Sequence, residues 1–337
     1  MKKILFIITI FFLCISTLFA QTLDPIIDDL SSFFYEFGRE ILIPMFQNEL
    51  SGCGIGNADF DDDDVLYFGA SLGANLTNGI FKFVNEENSA FELLDVNYFV
   101  STIMEDAPDF VSDGYDFFRT FYPYPNFRFA LGFPFFYDTE MTLLFSILPA
   151  FLTDWIADLA DYGDLEASSL NAGIRLRKVI MRDNGWFPAV SLGLGYTFSY
   201  FHLNIPVPEF EQDMDGDVLK LAGTLYLDNM LNTIGCDINF SKKFGIFVPF
   251  IKISPFFQLA TYHGGMSDFY AVIEDSEGVR IVESTTSPEG DIFLFEISAI
   301  LTLGFELVFG NYILFPYTTF DLSTNNFTVN LEMRSEF

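Results

Sequence analysis

The sequence predicts an all-β fold: an antiparallel transmembrane β-barrel of about 12 to 14 strands, preceded by a short helical segment. Three observations predict it. Apolar and polar residues alternate in run after run, which is the period of a strand with two different faces. Half of the residues are hydrophobic, yet beyond residue 20 no convincing stretch of about 18 apolar residues offers a spanning helix. The sequence also ends on FTVNLEMRSEF, in which Phe327, Val329, Leu331, Met333 and Phe337 share one parity while Thr328, Asn330, Glu332, Arg334 and Glu336 share the other. Such a ribbon needs two solvents.

Taken in order, residues 1–20 read as a secretory signal peptide. Lys2 and Lys3 supply a positive start, Ile4 to Phe12 an apolar core, and Leu18-Phe19-Ala20 a small residue suited to cleavage before Gln21. Cys14 is not a lipidation site, because Leu13 sits where a small residue should precede it. Removing Lys2 and Lys3 leaves 14 basic against 47 acidic residues, a formal charge of about −33, which argues against nucleic acid or an anionic membrane surface as a partner. So acidic a chain suggests disorder, but the 44 phenylalanines exclude it. Cys53 and Cys236 remain after export, where a disulfide is permitted; the sequence leaves their pairing open.

Residues 21–64 differ in kind. Asp24 is a good N-cap, Pro25 suits the first helical position, and Ile26, Ile27, Leu30, Phe33, Phe34 and Phe37 recur at helical spacing before Gly38. The amphipathic helix has three open placements: inside a lumen, beneath a barrel, or along a membrane surface.

Residues 65–337 are the barrel region. Candidate strands lie near 65–76, 90–97, 126–136, 140–151, 167–181, 186–203, 217–228, 232–240, 246–261, 292–309, 312–321 and 326–337. Turn chemistry at Asn184-Gly185, Asp228-Asn229, Ser241 to Gly245 and Gly310-Asn311 separates several of them. Counting back from a last strand that ends in the periplasm puts 262–291 outside but 204–216 inside, so one strand between them is miscounted. Phe269 to Glu283, turning at Asp275 to Gly278, can hold an extra hairpin.

A soluble sandwich is the rival architecture. Its outer faces would be rich in Lys, Thr and Glu, whereas the second face here is often Gly, Ser, Ala and Asn. In hydrocarbon no sheet edge can stay open, because unpaired backbone groups cost several kcal/mol each, so the meander must close. The leader, the alternating meander and the terminal FTVNLEMRSEF together resemble bacterial outer-membrane β-barrel proteins. That resemblance implies an outer-membrane location, outer-membrane lipid as surroundings, and Phe337 as a signal read by the barrel assembly machinery. The segment before the first strand is similar, more weakly, to the N-terminal plug of the outer-membrane long-chain fatty-acid transporter family; no specific motif is shared and no functional residue is carried over.

Residues opposite the apolar rows are expected to face the lumen: Arg128, Arg175, Arg177, Lys220, Asp237, Lys252, Glu296, Glu306, Glu332 and Arg334. An Arg or Lys on the lipid side costs roughly 2–4 kcal/mol at mid-bilayer. These charges either line a pore that selects solutes or pair with one another and close a narrow barrel. The stretch Asp59 with Asp61 to Asp64 can offer oxygen ligands to a divalent cation, but reads more simply as a solvated charge run. Asp213 to Asp217 departs from a calcium-loop spacing, since Gly216 follows the second aspartate too early. No metal site and no cofactor is predicted. His202 and His263 lie on separate segments as interfacial or loop residues, and no nucleophile motif appears, so no enzyme is expected. The expected function is a channel or transporter for small solutes, with the phenylalanine content tilting towards hydrophobic ones. The alternative is a non-transporting surface or structural protein whose acidic outer loops, such as 262–291, bind a partner.

Overall fold

Inward and outward positions alternate along the strands of a closed ring. The computed structural model describes residues 23–38 apart from 24 and 37, then 57–59, 66–77, 122–148, 166–214, 217–274, 278, 280–323, 325 and 327–337. The expected leader, Asp24, Cys53, Asp61 to Asp64 and the candidate run 90–97 lie outside the described residues.

Eleven strands are described: β1 (Tyr67–Thr77), β2 (Tyr122–Phe136), β3 (Thr139–Leu148), β4 (Glu166–Met181), β5 (Ala189–Met214), β6 (Asp217–Ser241), β7 (Phe247–Glu274), β8 (Arg280–Ser284), β9 (Glu289–Phe309), β10 (Tyr312–Asp321) and β11 (Phe327–Glu336). Each ring strand pairs antiparallel with its neighbours, β7 passes directly to β9, and β11 returns to β1 with Tyr67 opposite Glu336. Ten strands therefore form the ring, and closure leaves no edge. β8 pairs with β7 alone, making the hairpin expected between Phe269 and Glu283.

One end of the ring has short connections: Tyr137-Asp138, residues 182–188, residues 242–246 and Gly310-Asn311. Gly310 adopts φ 63° in the two-residue link from β9 to β10, a conformation glycine takes without steric cost. The opposite end holds the longest links, residues 78–121 and 149–165, beside the short ones 215–216 and 322–326, and there β5, β6 and β7 stand out at 26, 25 and 28 residues.

The expected map needs a correction at β6. Asp228-Asn229 is not a turn but the middle of β6, paired with His202 and Phe201 on one side and His263 and Tyr262 on the other. The runs 217–228 and 232–240 are thus one strand, which puts 204–214 at the same end as 262–274 and resolves the sidedness conflict.

Near the short-turn end the outward positions are apolar and exposed, as at Leu192, Leu194, Ile234, Ile238, Ile251, Ile253, Leu331 and Met333. Their inward neighbours Ser191, Asp237, Asn239, Lys252 and Glu332 are buried. From Val190 to Tyr200, ten residue steps cover about 34 Å of strand, or roughly 26 Å along the axis at the ~40° tilt that barrel closure imposes. That matches the apolar band of a membrane barrel, about 25 Å tall.

Beyond this band the polarity inverts, with inward parity resuming one residue out of step after Val207 on β5 and after Met266 on β7. Outward positions become Glu209, Glu211, Asp228, Glu289 and Asp291, while the inward Val207, Phe210, Leu219, Leu221, Leu225 and Leu227 are buried. They pack in one cluster with Leu23 and with Ile26, Leu30, Phe33 and Phe34 of the N-terminal helix α1 (residues 25–36), together with Tyr262, Met266 and Ile292. Water wets the outside there, so the ring's inner face must supply a core, and the apolar stripe of α1 fills it.

Candidate functional site

The inner wall in the short-turn half is a network of charges taken out of water. Glu140 on β3 sits at its centre. Arg177 Nη2 on β4 donates to Glu140 Oε2 at 2.7 Å, Tyr67 OH on β1 donates to Glu140 Oε1 at 2.8 Å, and Thr142 Oγ1 donates to the same oxygen at 2.9 Å. Arg334 on β11 lies 5.1 Å above the Tyr67 ring, a cation–π contact. Its guanidinium also reaches Glu336 at 2.7 Å and Glu306 of β9 at 3.8 Å. Farther along the wall Arg175 pairs with Asp237 at 2.5 Å. Lys252 is fully buried, and its ammonium has no hydrogen-bond partner among the described residues.

Asn57 to Asp59 are fastened to this wall. The Asn57 N–H donates to Glu306 Oε1 at 2.7 Å, its carbonyl accepts from Arg177 at 2.5 Å, and the Ala58 N–H donates to Ser241 Oγ at 2.8 Å. Asp59 accepts from Arg182 at 3.2 Å and from the Asp183 N–H at 3.0 Å. This tripeptide bonds to β4, β6, β9 and the 182–188 turn at once. A cavity of about 140 Å³ lies against it, among Tyr67, Glu140, Arg177, Glu306 and Arg334. In the same turn the Asp183 carboxyl is held at about 2, chiefly by Lys242, then by the N–H groups of Gly185 and Lys243.

α1 holds the other half. A Cβ on Gly290 of β9 would stand 2.9 Å from both the Ser31 carbonyl oxygen and the Tyr35 nitrogen, so only glycine lets the helix backbone lie this close to the wall. Between Ile292, which packs in the α1 cluster, and Glu306, which binds Asn57, β9 runs on the order of 45 Å.

Of the sequence-predicted lumen residues, Arg128, Arg175, Arg177, Asp237, Lys252, Glu306, Glu332 and Arg334 are buried on the inner face, and Glu296 is half-buried there opposite Gln258. The network gathers Arg177, Glu306 and Arg334 around Glu140; Arg175 and Asp237 pair separately. Lys220 is the correction. It lies on the outward side of β6, beyond the apolar band, bridging Glu211 at 3.0 Å and Glu274 at 3.2 Å. The apolar row of 219–227 faces the α1 core rather than lipid, so its opposite face meets water.

Five contributors were missed: Asn57, Tyr67, Glu140, Thr142 and Ser241. Parity within the candidate strands could have found Tyr67, Glu140 and Thr142; Ser241 was read as the start of a turn, and nothing local marks Asn57. Asp59 serves an ion pair with Arg182, and among the described residues no cluster of three or more His, Cys, Asp or Glu could hold a metal ion. Cys236 is an exposed free thiol. Phe337 is exposed, its N–H bonded to the Leu66 carbonyl at 2.8 Å.

A closed ring, an apolar outer band of bilayer height and a charged interior define a transmembrane β-barrel. No family model and no curated protein matches the chain. Among solved structures it is similar to the outer membrane protease OmpT from Escherichia coli at 8% identity and TM-score 0.43, over 83% of this chain and 98% of that one. It is also similar to the translocator domain of the autotransporter NalP from Neisseria meningitidis, at 9% and 0.33, over 89% and 94%. A Pseudomonas aeruginosa FadL homologue follows at 6% and 0.28, over 82% and 91%.

Proposed function

We infer that the protein is an outer-membrane β-barrel that passes small solutes when its own N-terminal segment leaves the lumen. The observation supporting this is the fastening of that segment at both ends of the inner wall, by α1 in the half away from the short turns and by Asn57 to Asp59 near them. Eight strands give a barrel that side chains alone fill, and about 16 give an aqueous channel; ten leave room for a strap and little else. An apolar wall above and a charged wall below favour amphipathic solutes. On this reading the protein is not an enzyme, and Phe337 presents the final strand to the assembly machinery.

Planar-bilayer recording tests the reading. The intact chain is expected to give rare, small openings, and a chain lacking residues 21–64 frequent, larger ones. Silence from both, with each shown to be inserted, sinks it. That outcome would favour a permanently closed barrel displaying its acidic outer wall, a reading supported by the interior pairs Arg175 with Asp237 and Arg177 with Glu140.

A further inference from the structure

The outward wall holds a row of side chains on the face opposite α1 and Asn57 to Asp59. His202 on β5, Asp228 on β6, His263 on β7 and Asp291 on β9 stand directly opposite one another across four neighbouring strands. His202 Nδ1 lies 2.8 Å from Asp228 Oδ1, Tyr200 OH donates to that same oxygen at 3.0 Å, and His263 Nδ1 lies 2.6 Å from Asp291 Oδ1. Tyr226 OH approaches His263 Nε2 at 3.2 Å. Each carboxylate thus uses one oxygen, and among the described residues no hydrogen bond engages the other.

One outward position nearer the short turns, the chemistry changes. Met230 and Phe293 stand exposed on either side of Thr261, their direct cross-strand neighbour on β7. Thr261 is shorter than both, and over it opens a groove of about 560 Å³ that is bounded above by His263, Asp228 and Asp291. The row therefore marks the rim of the apolar band, where aromatic and polar side chains meet lipid headgroups.

Position and charge together select an occupant. Below the rim it must be hydrocarbon, and at the rim it must bring a hydrogen-bond-donating cation to two carboxylates. We propose that the groove seats a membrane lipid whose headgroup carries a protonated primary amine, with one acyl chain on Met230, Thr261 and Phe293 and the ammonium on Asp228 and Asp291. A headgroup bearing only phosphate meets like charge here, and a quaternary ammonium has no N–H to donate.

This rests on the outer band being lipid-facing, and the experiment separates the two claims. The full chain carrying Phe295→Trp, one outward position below the groove, is reconstituted in phosphatidylcholine vesicles. These contain a minor share of brominated-chain phosphatidylethanolamine, phosphatidylcholine or phosphatidylglycerol, and the signal of Trp155 and Trp186 is subtracted using the unsubstituted protein. Quenching by the ethanolamine lipid should correspond to local enrichment on the order of fivefold over the choline lipid, the scale that two exposed charge contacts supply. Adding Asp228→Asn with Asp291→Asn should remove the preference and leave choline-lipid quenching unchanged. Should that double variant fail to fold, Asp291→Asn alone serves, its side chain being 78% exposed. Equal quenching by all three lipids, or stronger quenching by the glycerol lipid, overturns the site while keeping the band. No quenching by any of them overturns both.

Discussion

Arg177 is 2% exposed, and a guanidinium so placed costs several kcal/mol in lost hydration unless acceptors surround it. Glu140 and the Asn57 carbonyl provide them. Arg177→Met strips Glu140 of its countercharge and should destabilise the folded barrel by about 3–5 kcal/mol, whereas Arg177→Met with Glu140→Met should recover most of that loss. Urea unfolding in vesicles, followed by circular dichroism, measures both; equal losses in the single and double variants would show that the pair is not what Arg177 contributes. Nine of the ten residues expected on the inner wall were legible because parity within a strand needs no tertiary information. Lys220 was not, since the parity rule assumes that apolar always means lipid. Asn57 was illegible for a different reason: its acceptors and donors, Glu306, Ser241 and Arg177, are distant in sequence, and only the closed ring brings them together.

At the scale of elements, α1 and β9 depend on one missing side chain. Gly290→Val places a branched side chain where the Ser31 and Tyr35 backbone now lies, and backbone cannot yield as a flexible side-chain tip can. The helix should be expelled from the wall, uncovering Ile26, Leu30, Phe33 and Phe34, each of which forgoes roughly 1.5–3 kcal/mol of burial. Proteolysis within residues 21–64 should accelerate and bilayer openings should become frequent, with the ring intact by circular dichroism. Unchanged protease resistance would mean that α1 is held by something other than this approach. The helix itself was readable from the spacing of Ile26, Leu30, Phe33 and Phe34, because a 3.6-residue period is local. Its placement was not, because the same stripe suits a lumen, a barrel base or a bilayer surface. β6 was misread at Asp228-Asn229, where Asp228 stands in the outward row between His202 and His263 and Asn229 is buried on the inner face.

For the molecule as a whole, one number separates a barrel in hydrocarbon from a barrel in water. Leu194 is 57% exposed on the outward face of β5, near the middle of the stretch from Val190 to Tyr200. In a soluble protein an exposed Leu→Arg change away from special features stays within about ±0.5 kcal/mol. At the midplane of a bilayer the same change costs roughly 2–4 kcal/mol, because the guanidinium must thin the membrane or drag water to it. Thr224 lies on the outward parity of β6, beyond the His202 row, so Thr224→Arg should stay near zero in the same vesicles. The polarity inversion makes this contrast sharp: both positions face outward on neighbouring strands of one ring, and the surrounding solvent differs between them. A large penalty at Leu194 with none at Thr224 fixes the height of the hydrocarbon on the wall. Small and equal changes at both would mean that the apolar rows face no lipid, and the transmembrane assignment would fall with them.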